Sequence, residues 1–144
     1  MRFLVINGPN LNLLGQREPA IYGRQDYPYL CSLVQDYAAA HGSTADCFQS
    51  NHEGAIIDAI QQAQGQYEAI IINPGAYTHT SIAILDALKA VAIPAVEVHI
   101  SAVETREDFR QVSYARLACF ATITGEGLQG YAHALELLKK RLEK

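Results

Sequence analysis

The chain reads as an α/β domain: a parallel sheet of five strands with helices on both faces. Short apolar runs near residues 2–6, 44–49, 69–73, 95–100 and 119–124 alternate with segments of helical period. Runs such as Phe3-Leu4-Val5-Ile6 and Ala69 to Ile72 are apolar throughout, as strands covered on both faces must be. Three of the runs stop abruptly in polar residues: Asn7-Gly8-Pro9-Asn10, Asn73-Pro74-Gly75 and His99-Ile100-Ser101. Open sheets of this class bind small molecules at their carboxyl ends, so function is expected there.

Each element has a local reason. The first strand, about 2–6, opens into an irregular stretch from Asn7 to Gln25. The first helix spans about 26–41, with Asp26 as its cap, Pro28 in its first turn and Gly42 just past its end. A strand at about 44–49 precedes a helix at about 53–64. The run at 69–73 leads to a helix at about 81–91. The strand at about 95–100 is followed by a polar link with a short helix near Glu107. The last strand, about 119–124, precedes a helix at about 128–143. Right-handed crossovers turn this order into a doubly wound, flavodoxin-like three-layer sandwich, a single domain over residues 1–144.

Composition excludes several classes. Net charge is −4, which disfavours nucleic acid or an anionic membrane as partner. No run reaches transmembrane length, and Met1-Arg2 leads straight into a strand, not a signal peptide. Cys31, Cys47 and Cys119 are widely spaced in apolar surroundings and read as reduced core thiols of a cytoplasmic protein.

The segment from Asn7 to Gln25 is long for a structureless loop, and such loops are functional or disordered. Leu11, Leu13, Leu14, Ile21 and Tyr22 offer anchors against disorder. Gly15 and Gly23 flank Arg17 and Tyr22, the composition of a lid over about 15–24 hinged at its glycines.

The motifs Ile6-Asn7-Gly8-Pro9-Asn10-Leu11-Asn12-Leu13-Leu14-Gly15, Arg17-Glu18-Pro19, Ile21-Tyr22-Gly23, Gln49-Ser50-Asn51-His52-Glu53-Gly54, Asn73 to Ser81 and Glu97-Val98-His99 resemble type II 3-dehydroquinate dehydratase. The match runs from the first strand to Gly130-Tyr131. It implies dehydration of 3-dehydroquinate to 3-dehydroshikimate, in the shikimate or quinate pathway, with neither metal nor cofactor. It also implies a homododecamer of four trimers.

The residue chemistry suits that reaction, which needs a base, an enolate stabiliser and an acid. Tyr22 is the candidate base. A phenol with a pKa of about 10 must be lowered by about 3, roughly 4 kcal/mol, to act at neutral pH. A guanidinium about 4 Å away supplies about that much at an effective dielectric near 20, and the resemblance assigns this to Arg17. Spacing alone fits a surface tyrosine equally well. His99 is the candidate acid, with Glu97 two positions away on the same face of the strand to orient or charge it. The resemblance gives Asn10 and the Pro9 carbonyl a water that stabilises the enolate oxygen; Gly8-Pro9-Asn10 also has the composition of a plain turn.

Substrate contacts come from the resemblance. The backbone N–H groups of Ile100 and Ser101, with Asn73, match a carboxylate cradle; His79 and Arg110 match positions that hold ring hydroxyls. Asp86 is expected to reach the site of a neighbouring subunit. His52 reads as a structural loop residue.

The chain departs from the family pattern at Ala102, Val103 and Glu104, at Gln111 and Val112, over Tyr114-Ala115-Arg116-Leu117, and at Glu126. Glu104 near an anionic substrate is expected to weaken binding. The four lysines, Lys89, Lys139, Lys140 and Lys144, lie at helix or chain ends, so an imine route is disfavoured. A flavin carrier is disfavoured because Pro9 lacks the N–H a phosphate loop requires. The remaining alternative is a catalytically silent flavodoxin-like binding module.

Overall fold

The computed structural model describes residues 1–16, 20 and 25–144. Five strands, β1 (Arg2–Asn7), β2 (Thr44–Gln49), β3 (Ala69–Asn73), β4 (Ala95–His99) and β5 (Ala121–Thr124), form one sheet in the order β2-β1-β3-β4-β5. All neighbours pair in parallel. Four α-helices occur among the described residues: α1 (Tyr27–Ala40), α2 (Glu53–Gln62), α3 (Ile82–Val91) and α4 (Gln129–Leu142).

Alternation along the strands divides the core in two. Phe3, Val5, Ala69, Ile71, Val96 and Val98 face Leu30 and Val34 of α1 and Tyr131, Ala134 and Leu138 of α4. Leu4, Ile6, Ile70 and Ile72 face Ile56 and Ile60 of α2 and Ile84 and Leu88 of α3. Successive residues of β3 thus serve opposite layers, which is why the strand carries no polar residue before Asn73. The expected three-layer sandwich is the fold observed.

The helix starts follow their caps. The Asp26 side chain accepts from the Tyr29 N–H at 3.0 Å, with Pro28 in the first turn. Ser81 accepts from the Ile84 N–H at 3.0 Å, which sets the start of α3.

Three local features differ from the sequence expectation. Gly75–His79 coils as a 3-10 helix before α3. The link after β4 holds two short 3-10 turns, Val103–Thr105 and Asp108–Arg110, where one helix near Glu107 was expected. β5 begins at Ala121, because Ala115–Ala118 winds a further 3-10 turn and uses up the residues that lead into Cys119.

The chain reverses its winding direction between β1 and β3, where Asn7 and Asn73 are register partners. The loops leaving these strand ends touch. A Cβ on Gly8 would lie 2.4 Å from the Pro74 carbonyl oxygen, so only glycine lets the loops approach this closely. Gly75, at φ 61°, takes the left-handed conformation that turns the β3 loop back over Pro9.

Candidate functional site

The strand ends of β1, β3 and β4 line a cavity of about 200 Å³. Its polar wall comprises Asn10, Asn73, His79, His99, Ser101, Arg106 and Arg110. Its apolar wall includes Leu11, Leu13, Leu14 and Val103. Parallel strands put residues from distant sequence positions at one sheet edge, and this edge lies at the switch point.

Asn73 is buried, and its amide is held at both ends: Nδ2 donates to the Tyr131 hydroxyl at 2.9 Å and Oδ1 accepts from the Gly75 N–H at 3.1 Å. Asn10 follows β1 in a left-handed conformation at φ 71°, which asparagine tolerates better than most residues, and its N–H donates to Asn51 Oδ1 at 3.0 Å. His79 closes the 3-10 turn after β3. Its Nδ1 lies 2.7 Å from the Val112 carbonyl, which only accepts, so Nδ1 carries the proton. Ile100 and Ser101 follow β4 on the cavity wall, and Arg110 is held by Glu107.

The chemical centre is the pair Glu97–His99 on β4. His99 Nε2 donates to Glu97 Oε2 at 2.8 Å. His99 is 5% exposed and Glu97 fully buried. A lone buried carboxylate would be costly; this one is saturated. Oε2 also accepts from the Thr78 hydroxyl and from Ser113 Oγ at 2.6 Å. Oε1 accepts from Thr122 Oγ1 at 3.2 Å and meets Arg116 Nε at 3.5 Å. Burial pushes the Glu97 carboxyl up, but the hydrogen bonds from His99, Ser113 and Thr78 outweigh it and hold it down at about 2. Glu97 is therefore an anion at neutral pH. It fixes the ring of His99, whose Nδ1 has no partner among the described residues.

The cavity brings together Asn10, Asn73, His79, His99, Ile100, Ser101 and Arg110. Glu97 acts from behind His99. Asp86 is exposed on α3 and does not line this cavity. Arg17 and Tyr22, with most of the expected lid, lie outside the described residues. Glu104 does not line this cavity: its carboxylate accepts from Thr124 Oγ1 at 3.1 Å in a neighbouring depression that shares Val103 and Arg110 with it. The 3-10 turn at Val103–Thr105 turns Val103 inward and leaves Glu104 exposed.

Sequence reasoning missed Arg106, which lines the cavity, and the hydroxyls of Thr78, Ser113 and Thr122 around Glu97. The available signal was a buried acidic residue within an apolar strand, which demands donors from somewhere.

A doubly wound sheet with a carboxylate–imidazole pair and an arginine-lined cavity at its switch point defines a small α/β enzyme. The family model described as "Dehydroquinase class II" matches residues 1–139. The chain belongs to this class II dehydroquinase family. It is 57% identical to the 3-dehydroquinate dehydratase of Lachnoclostridium phytofermentans over 139 residues, 96% of each chain. It is 52% identical to catabolic 3-dehydroquinase 2 of Aspergillus fumigatus over 139 residues, 96% of this chain and 93% of that one. The crystal structure of type II dehydroquinase from Butyrivibrio crossotus matches with a TM-score of 0.94 at 51% identity, covering 96% of this chain and 97% of that one.

Proposed function

We propose that the chain dehydrates 3-dehydroquinate to 3-dehydroshikimate by anti elimination through an enolate. The observation that carries the acid half is the Glu97–His99 pair at the cavity wall, 2.8 Å apart on a carboxylate closed to solvent. Tyr22, ionised beside Arg17, removes the proton next to the ketone. The enolate oxygen is stabilised through a water held by Asn10 and the Pro9 carbonyl. His99 donates its Nδ1 proton to the departing hydroxyl, which leaves as water; Glu97 compensates the imidazolium charge before the transfer and holds the Nε2–H of the neutral ring after it. The Ile100 and Ser101 N–H groups and Asn73 hold the substrate carboxylate; His79 and Arg110 hold its hydroxyls.

The relatives carry both plain and catabolic names, so the dehydration serves either biosynthesis of aromatic precursors or quinate breakdown. We assign the chain to a cytoplasmic homododecamer of trimers, with Asp86 completing a neighbouring site. No helix among the described residues is long and apolar enough to cross a membrane.

The test is to add 3-dehydroquinate to the pure protein and follow conjugated-enone absorbance in the ultraviolet. Tyr22→Phe and His99→Ala should each remove most of the signal. A folded native protein that produces no enone refutes the assignment. Inactivation by borohydride in the presence of substrate would point instead to an imine.

A further inference from the structure

Tyr131, in the first turn of α4, is fully buried beneath the ends of β1 and β3. Its hydroxyl lies 2.6 Å from Asn7 Oδ1 and 2.9 Å from Asn73 Nδ2. These contacts have a forced direction. An amide oxygen only accepts, so the single phenolic proton goes to Asn7. The phenol oxygen is then left as an acceptor, and Asn73 must present its NH₂ to it. Turning the Asn7 amide would place two NH₂ groups against one phenol oxygen and strand the phenolic proton in the core; in the orientation present, the buried group without a partner among the described residues is Asn7 Nδ2.

The opposite end of Asn73 is assigned independently. The Gly75 N–H donates to Oδ1 at 3.1 Å, and a backbone N–H has no other role. Two protein groups therefore agree on the orientation of one amide. One Nδ2 proton has no acceptor among the described residues, on a side chain that lines the cavity.

We propose that Tyr131, held by Asn7, is a positioning residue that locks the Asn73 amide so that the cavity wall offers a hydrogen-bond donor at that point. The site then selects a ligand oxygen that accepts there, a carboxylate or a ketone, over a group that donates. Tyr131 stays protonated in this role, because burial pushes its hydroxyl well above the ordinary tyrosine range. Asn7 contributes through Tyr131 rather than by touching the ligand: it is wholly buried, beneath the loop that carries Asn10.

The inference rests on Asn73 contacting the substrate. Tyr131→Phe removes the acceptor that fixes Asn73 and should raise KM for 3-dehydroquinate about tenfold, with kcat changed less than about threefold. The decisive comparison is the same substitution in an Asn73→Ala background. If Tyr131 acts through Asn73, KM there stays within about twofold. An equal rise in both backgrounds overturns the proposal, as does an unchanged KM in the single variant. Native turnover is measured alongside: its absence refutes the proposed function and leaves the amide lock to be judged by the next measurement.

Should Tyr131→Phe fail to fold, the native protein still decides. In a spectrum resolving the two Asn73 amide protons, adding 3-dehydroshikimate should shift one proton and leave the Tyr131-bound one in place. Equal movement of both overturns the proposal, as does movement of neither in a protein that turns the substrate over; in a protein without turnover the ligand-free spectrum decides, where the Tyr131-bound proton should exchange with solvent more slowly than the other and equal exchange overturns the lock.

Discussion

Glu97 and His99 stand two residues apart on β4, point to the same side of the sheet, and share a 2.8 Å hydrogen bond. Their separation is the strand repeat itself. The pair survives burial because Thr78, Ser113, Thr122 and Arg116 supply the rest of the carboxylate's needs. Glu97→Gln keeps the shape and removes the negative charge that faces His99 Nε2. We expect kcat to fall about 10²-fold or more, with KM changed little, as for an impaired general acid. Steady-state kinetics on the folded variant checks this; retained kcat would remove Glu97 from the mechanism.

The same carboxylate makes stability depend on pH. Glu97 titrates near 2 in the fold against an ordinary 4.5. A depressed carboxyl contributes stability that is fully present above the unfolded value and is lost as pH falls through the folded one. The contribution is about 3 kcal/mol at neutral pH, at about 1.4 kcal/mol for each pH unit of the difference. Urea titrations of native protein and Glu97→Gln should therefore differ most above pH 4.5 and converge toward pH 2. A difference that stays constant across that range would contradict the assignment.

The loop contact at Gly8 gives a steric test. Alanine there would drive its methyl into the Pro74 carbonyl, 2.4 Å away and part of the backbone. Separating the loops costs about 1–3 kcal/mol and moves Asn10 away from Asn73. Gly8→Ala should lower the melting temperature and weaken substrate binding together. Gly54→Ala, where an added Cβ meets nothing within 4 Å, should do neither through a clash and serves as the control.

The sheet and its binding edge were legible because their signals are local. Apolar runs broken by Asn7, Asn73 and His99 mark strand ends, and Asp26 and Ser81 mark helix starts through contacts within three residues. The surroundings of Glu97 were not legible. Its donors come from the 3-10 turn after β3, the link after β4, and β5, which only the folded sheet brings together. Tyr131 was hidden for the same reason: its partner Asn7 is 124 positions away in the chain. The placement of Glu104 was not legible either, because proximity in sequence to β4 says nothing about which side of a 3-10 turn a residue takes.

Arg106 and Glu104, two positions apart in the link after β4, make the last prediction. Arg106 is half-buried and lines the cavity, whereas Glu104 is exposed and engages Thr124. An anionic substrate approaching the cavity meets Arg106 and Arg110 together, with Arg110 partly neutralised by Glu107. Arg106→Ala should raise KM about tenfold or more, consistent with the loss of a charged hydrogen-bond donor of about 1.5–3 kcal/mol. Added salt should weaken binding to the native protein more than to this variant, since part of the attraction is screened. Glu104→His should leave KM within about twofold, because a rim charge turned from the cavity is worth little in water. The two KM values, measured in the same buffer, decide which face of the link meets the ligand. A large change for Glu104→His with none for Arg106→Ala would reverse the orientation drawn for this segment.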